Sequence, residues 1–236
     1  MNITECKSYD SMSELAASLI MRGLESKPDL LLCAATGSSP TGLYKILVEK
    51  SKNEMNLFKN LRLVKLDEWG GVKENDPVTC EWYIRQNLIE PLNISFDRYI
   101  SFESEPADPE AECKRIQNEL DQKGPIDICI LGIGKNGHIG FNEPDDYLAP
   151  GCHYARLTSE SLSHSMIQVM DKKPSYGLTL GMGDILNSSR IILLITGNNK
   201  KDVTNQLMRK KVSTDLPASF LWLHPHVDCF IDLSSV

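Results

Sequence analysis

His138 and Glu143 stand in a glycine-rich stretch, residues 132–144, that reads GIGKNGHIGFNEP. An unperturbed histidine titrates near pH 6.5, so it can give and take a proton near neutrality, and a carboxylate close by can orient and tune it. Asn136 adds a hydrogen-bonding amide. A hydrogen-bonded core histidine beside a turn is the blander reading, but the glycine density and the Asn and Glu neighbours outweigh it. Gly132 to Gly137 also match the dinucleotide pattern G-x-G-x-x-G. That match is a decoy: a dinucleotide site needs its last glycine inside a continuing apolar helix and an acidic residue after the next strand. Pro144 and the scarcity of helix formers argue against such a helix.

Two further stretches carry chemistry. Asp67 and Glu68 are adjacent carboxylates followed by Trp69, Gly70 and Gly71, which suits a general base with a hydrogen-bonding neighbour. Asp67 is the better candidate; if extended backbone persists there, the two carboxylates face opposite sides and only one can point at a common ligand. The competing readings are a helix cap or a surface ion pair for the carboxylates, and packing for Trp69. Thr36, Gly37, Ser38, Ser39, Pro40, Thr41 and Gly42 run into a helical stretch. Small hydroxyl residues and glycine there suit either a phosphate cradle at a helix N-terminus or an ordinary N-cap, and the two weigh about evenly. A nucleotide P-loop is disfavoured, since Leu43 and Tyr44 stand where Lys and Ser/Thr would be needed. Lys200 could neutralise a phosphate as a point charge, with a solvated helix-start lysine as its competitor. His224, His226 and Asp228 lack a third convergent ligand for a metal, so a surface position is expected for them. His153 and His164 belong to no chemical motif.

These residues need a scaffold. Short apolar runs at residues 30–35, 61–66, 126–133, 191–196 and 228–233 read as fully buried strands. Stretches of helical period lie at 13–25, 42–52, 81–89, 110–123 and 200–210. The alternation predicts an α/β fold: a single doubly wound, mostly parallel sheet with helices on both faces, a modified Rossmann-like three-layer sandwich. No linker or repeat divides the chain, so one domain over residues 1–236 is expected. In such sheets ligands bind beyond the carboxyl ends of the strands, where the strand order reverses. The candidate residues lie just after the apolar runs.

The bulk numbers narrow the class. The chain has 236 residues, 41% hydrophobic and 24% charged, which is ordinary for a folded protein. A net charge of −7, from 32 acidic and 25 basic residues, argues against nucleic acid or an anionic membrane surface as partner. Seven scattered cysteines, with no C-x-x-C, indicate neither a disulfide framework nor a zinc site. With no leader-like N-terminus and no apolar run near the roughly 18–20 residues a span needs, a cytoplasmic protein is expected.

Taken together, the three loops resemble the glucosamine-6-phosphate deaminase/isomerase family, whose members carry a Thr-Gly-rich loop, an Asp-Glu-aromatic loop and a Gly-His-Ile-x-Phe-Asn-Glu-Pro loop in this order. The resemblance covers nearly the whole chain. Lys65-Leu66-Asp67-Glu68-Trp69, Thr79-Cys80-Glu81, Gly134 to His138, residues 211–214 and residues 217–224 are more similar to its galactosamine-6-phosphate branch. The resemblance implies that His138, tuned by Glu143 and helped by Asn136, opens the sugar ring, and that Asp67 moves the C2 proton to C1. Galactosamine 6-phosphate would give tagatose 6-phosphate and ammonia; glucosamine 6-phosphate would give fructose 6-phosphate. No cofactor or metal is implied. Ser38, Ser39 and Lys200 match family positions that hold the phosphate.

Two departures stand out. Asn136 occupies a place where some members have Asp, which implies a weaker relay to His138. The family's phosphate-binding Arg has no match within residues 157–170; counting back from Pro174-Ser175-Tyr176-Gly177-Leu178 puts His164 near its place, with Arg156 and Lys172 as alternative substitutes. The chain also lacks the C-terminal extension linked to allosteric control in some members, so an unregulated enzyme is expected. The family includes hexamers, which leaves a homo-oligomer open. The competing functions are 6-phosphogluconolactonase, which shares the fold and a similar Gly-His loop, and a non-catalytic sugar-phosphate sensor. The Phe141-Asn142-Glu143-Pro144 continuation and the Asp67-Glu68-Trp69 loop fit the deaminase better than the lactonase. A sensor would not need Asp67 and His138 together.

Overall fold

A computed structural model of the chain describes residues 1–73, 76–158, 162 and 173–235. The elements are β1 (Asn2–Cys6), α1 (Tyr9–Ser26), β2 (Leu31–Ala34), α2 (Ser38–Ser51), α3 (Met55–Phe58), β3 (Arg62–Lys65) and β4 (Asp67–Gly70), followed by α4 (Cys80–Ile84), which continues into a π-helical turn, Arg85–Ile89. Then come β5 (Tyr99–Ile100), α5 (Pro109–Lys123), β6 (Ile128–Leu131), β7 (His153–Ala155), β8 (Tyr176–Thr179), α6 (Met182–Leu186), β9 (Arg190–Ile195), α7 (Lys201–Met208) and β10 (Val227–Asp232).

Seven strands form a parallel sheet in the order β1-β10-β9-β6-β2-β3-β5. The central strands read as unbroken apolar runs because both faces are covered. Leu32, Ala34, Leu63, Ile128, Ile130, Ile192 and Leu194 pack on one face with Met12, Ile20 and Leu24 of α1 and Leu43 and Leu47 of α2. Leu31, Cys33, Val64, Cys129, Leu131, Ile191 and Leu193 alternate onto the other face, with Ile116 and Leu120 of α5, Ile185 of α6 and Val203 and Leu207 of α7. Each such Leu or Ile contributes about 1.5–3 kcal/mol relative to exposure. Helices start where the sequence supplies caps: Ser8 and Ser11 form a reciprocal box at α1, and Asp108 accepts from Glu110 and Ala111 ahead of α5, with Pro109 at its first position.

The strand order reverses between β2 and β6. From β2 the chain proceeds outward through β3 and β5; from β6 it proceeds the other way through β9 and β10. The loops after β2 and β6 therefore flank the crevice where such sheets bind ligands.

The expectation of a single sheet needs an addition. β4, β8 and β7 form a separate antiparallel sheet, in that order, continuous in chain with the end of β3. These strands are three or four residues long and mix polar with apolar side chains, so neither period nor composition marks them. β1 is a mostly exposed, polar edge strand and β5 has only two residues, so the first lacks an apolar run and the second is too short to show one. All seven cysteines are free thiols. Among the described residues, no helix is long and apolar enough to cross a membrane.

Candidate active site

Asp67 sits where the chain leaves the central sheet. Leu66 still donates its N–H to Ala34 O of β2 at 3.2 Å, and the next residue begins β4. Extended geometry continues through this junction, so Asp67 and Glu68 do face opposite ways. Glu68 is turned inward and fully buried. It accepts from the backbone N–H of Trp69 at 2.7 Å, Cys80 at 2.9 Å and Glu81 at 2.7 Å, and from Lys65 Nζ at 2.6 Å. Glu68 thus caps the N-terminus of α4. Trp69 is buried with its ring edge-on to Phe141, centroids 4.6 Å apart, and is a packing residue.

Lys65, buried at the end of β3, also donates to Glu81 Oε2 and Phe102 O, both at 2.9 Å. Glu81 Oε2 accepts in addition from Tyr99 Oη at 2.9 Å and Ser101 Oγ at 2.6 Å. Burial opposes the Lys65 ammonium, yet the two carboxylates and Tyr99 outweigh it and hold its pKa above the usual value. Burial likewise opposes the Glu81 carboxylate, but Lys65, Ser101 and Tyr99 hold its pKa below the usual range. The sequence reading missed this network, although a lysine ending an otherwise apolar strand signals that buried counter-charges are required.

Asp67 faces the crevice with the Cys80 Sγ 3.8 Å from its Oδ1. The same sulfur lies 3.4 Å from Thr36 Oγ1, so one thiol joins the Thr36 loop to the carboxylate. Burial, and next the neighbouring Glu68 charge, push the Asp67 carboxyl up to about 7, while His138, Lys65 and the Cys80 thiol pull the other way. A carboxylate titrating near neutrality is matched to general-base work.

Residues 132–144 form turns without a helix, so the glycine pattern is indeed no dinucleotide fingerprint. Gly140 adopts φ +58°, and a Cβ there would lie 2.7 Å from Thr179 Oγ1 and 3.6 Å from Asp67 Oδ2. This glycine lets the loop run against the β4–β8 sheet and brings it to Asp67. Asn142, buried, staples the turn through Nδ2 to Ile139 O and Leu180 O, both at 2.9 Å. The His138 ring packs over Gly134, where a Cβ would fall 2.4 Å from it. His138 Nδ1 is 3.3 Å from Glu143 Oε2, in ion-pair range but not aligned as a hydrogen bond.

Asn136 hydrogen-bonds the carboxylate and the His138 backbone rather than the ring. Its Nδ2 donates to Glu143 Oε2 at 2.8 Å, and its Oδ1 accepts from the His138 backbone N–H at 3.2 Å. Thr158 Oγ1 donates to the other oxygen, Glu143 Oε1, at 3.3 Å. Asn136 therefore fixes the carboxylate that faces His138, a placement that spacing along the chain could not reveal.

The remaining candidates converge on the same crevice. Gly37, at φ +100°, caps α2 without a side-chain bond, and Ser38 and Ser39 open the helix. Ser39 lies beside the start of the 132–144 loop, its Oγ 3.7 Å from where a Cβ on Gly132 would be. Lys200, just ahead of α7, donates Nζ to Ile133 O at 2.7 Å. Of the substitutes for the absent Arg, Arg156 is exposed just past β7, and His164 and Lys172 lie outside the described residues.

His224 corrects the surface reading. It is buried, its Nε2 lies 2.7 Å from Ser188 O, and its Nδ1 accepts from the His226 N–H at 3.1 Å, which makes it a core hydrogen-bonding residue. Among the described residues no group of three or more His, Cys, Asp or Glu side chains could hold a metal ion.

Residues 4–229 match the model of the family described as glucosamine-6-phosphate isomerases/6-phosphogluconolactonase. The chain belongs to this family. It is 40% identical over 230 residues to the putative deaminase AgaI of Escherichia coli K12, covering 98% of this chain and 91% of that one. It is 35% identical to glucosamine-6-phosphate deaminase 1 of Bacillus subtilis 168, over 98% and 97% of the two chains. The solved structure of a monomeric glucosamine-6-phosphate deaminase superposes with a TM-score of 0.92 at 35% identity, over 99% of this chain and 98% of that chain. A 6-phosphogluconolactonase from Thermotoga maritima, 17% identical with a TM-score of 0.76 over 98% and 99% of the chains, shares the fold.

Proposed function

We propose that this protein is an amino-sugar-phosphate isomerase and deaminase that converts galactosamine 6-phosphate and water to tagatose 6-phosphate and ammonia. The observation that carries the reading is the juxtaposition of two proton-transfer groups in one crevice: Asp67 at the β3–β4 junction and the His138–Glu143 pair brought to it by the Gly140 turn.

In this reading the Thr36, Gly37, Ser38 and Ser39 backbone and hydroxyls, with the Lys200 ammonium, hold the substrate phosphate at the start of α2, where unpaired N–H groups and the helix dipole favour an anion. His138 moves a proton between O1 and O5 to open the ring, and Glu143, fixed by Asn136 and Thr158, balances the imidazolium that forms. Asp67 then takes the C2 proton to give an enolamine and returns it to C1, leaving a ketose imine. Water adds at C2, and ammonia departs as the ketone forms. Every step is a proton transfer, the opening of the hemiacetal, the addition of water or the loss of ammonia, with no change of net oxidation state, and none calls for a cofactor.

The galactosamine preference rests on the segments around Lys65, Cys80 and Glu81. Lys65 and Glu81 are occupied with one another beneath the site, whereas the Cys80 thiol reaches Asp67 and Thr36. Glucosamine 6-phosphate is the second reading, favoured by the relatives named as its deaminases. Purified protein offered galactosamine 6-phosphate, glucosamine 6-phosphate and 6-phosphogluconolactone separately should release ammonia and ketose phosphate, fastest from the first. Faster release from glucosamine 6-phosphate would reverse the epimer assignment. Hydrolysis of the lactone without ammonia from either amino sugar would overturn the reading.

A further inference from the structure

Three tyrosine hydroxyls converge on the backbone of the loop after β2. Tyr44 Oη, fully buried in α2, donates to Ala35 O at 2.7 Å. Tyr83 Oη, from α4, donates to Gly37 O at 2.9 Å and lies 2.7 Å from Thr41 Oγ1, which itself donates to Gly37 O at 2.8 Å. Tyr9 Oη, from the first residue of α1, donates to Ser38 O at 2.6 Å and accepts from Gly42 N–H at 2.7 Å. Ser38 O and Gly42 N are the i and i+4 groups that an α-helix joins directly, so the Tyr9 hydroxyl bridges the opening rung of α2.

The surroundings keep that hydroxyl in place. A Cβ on Gly42 would fall 2.6 Å from the Tyr9 ring and 2.4 Å from Ser13 Oγ, so the glycine provides the space the ring occupies. The Ser8–Ser11 capping box fixes the start of α1, and with it Tyr9. Tyr83 and Tyr44 brace each other, ring centroids 6.3 Å apart.

The electrostatic consequence is specific. A loop that receives an anion must present N–H groups and keep its carbonyl oxygens engaged elsewhere. Here the carbonyls of Ala35, Gly37 and Ser38 each accept a tyrosine hydroxyl, while the first turn of α2 contributes the N–H groups that a helix leaves without intrahelical partners. Neither Tyr9 nor Tyr83 stands in any of the loops that carry the proposed chemistry.

We propose that Tyr9 and Tyr83 are positioning residues that hold the Ala35–Thr41 backbone in its anion-receiving conformation. This rests on the reading that the Thr36–Ser39 loop holds the substrate phosphate. Because they act on the loop and not on the reacting carbons, their effect falls on phosphate affinity and KM rather than on kcat.

The test compares Tyr9→Phe, Tyr83→Phe and Ser39→Ala with the wild type, measuring kcat and KM for the amino-sugar phosphate and the affinity for inorganic phosphate by calorimetry. Each Tyr→Phe variant should weaken inorganic phosphate and raise KM together, by at least about 5–10-fold, the factor expected for one lost hydrogen bond, Tyr9→Phe losing two, with kcat within about twofold. Wild-type phosphate affinity in both Tyr→Phe variants, with weakened phosphate in Ser39→Ala, would overturn the proposal and leave the phosphate-loop reading standing. Unchanged phosphate affinity in all three would remove the phosphate-loop reading itself. A variant that only loses thermal stability, with its phosphate-induced rise in Tm intact, also counts against the proposal. Tyr83→Phe carries the test alone if Tyr9→Phe does not fold.

Discussion

Asn136 Nδ2 donates at 2.8 Å to the same Glu143 oxygen that lies 3.3 Å from His138 Nδ1. The amide holds the carboxylate, and the carboxylate faces the ring. An acidic side chain at position 136 would replace this donor with a second carboxylate, and two such groups at hydrogen-bond distance do not both ionise near neutrality. Asn136→Asp should therefore retain a proton in the Asn136–Glu143 pair and move the acid limb of the kcat profile toward higher pH. An unchanged profile, followed by ammonia release, would show that the amide does not govern the pair.

Asp67 provides a pH signature. Its carboxyl, pushed up to about 7 by burial and by Glu68, must be ionised to accept the C2 proton. The wild-type kcat/KM should fall as pH drops through about 7, rather than near 4 where an ordinary aspartate titrates. The linked effect on stability has a definite sign. Between about pH 4 and 7 the folded chain keeps a proton that the unfolded chain has released, so this group lowers stability as pH rises through that window. Asp67→Asn should then raise Tm at pH 8 by more than at pH 4, as read by thermal denaturation.

Lys65 is held between two buried carboxylates, 2.6 Å from Glu68 and 2.9 Å from Glu81. Removing the ammonium leaves Glu68 without its counter-charge and Glu81 with only the Arg85 guanidinium, 3.8 Å away. Lys65→Met should cost about 3–5 kcal/mol at pH 7 in urea denaturation. A loss below about 1 kcal/mol would mean that the network does not support the β3–β4 junction.

Gly134 gives the His138 ring its seat. A methyl group placed 2.4 Å from the ring must displace it, and a shift of about 1 Å in a proton-transfer group typically costs about 100-fold in rate. Gly134→Ala should lower kcat on the cyclic sugar by about that factor and spare turnover of an open-chain analogue. Equal losses on both would remove His138 from the ring-opening step.

The parallel sheet and its helical layers were legible because β2, β3, β6, β9 and β10 are apolar on both faces, a pattern that few other arrangements produce. The second sheet was not, since β4, β7 and β8 gain their pairing from register and contact rather than from local composition. Within the candidate site, the types of Asp67, His138 and Glu143 suggested proton transfer, and the structure places all three just beyond strand ends, as the strand-end rule expects of a ligand crevice. Asn136 could be named but not given its partner, because whether an amide meets a ring or a carboxylate depends on how Gly137 and Gly140 turn the chain. Cys80 was visible only as part of the Thr79-Cys80-Glu81 resemblance, and Tyr9 and Tyr83 left no signal, because their partners are met only on folding. His224 was misread because its neighbours look solvent-bound, whereas the Ser188 carbonyl draws it into the core.

Exchange of the C2 proton tests the assignment of Asp67 most directly. In deuterated buffer with the amino-sugar phosphate, proton NMR should show C2 exchange or transfer to C1 by the wild type and none by Asp67→Asn, although that variant still binds the sugar phosphate. Exchange at the wild-type rate in Asp67→Asn would contradict the account.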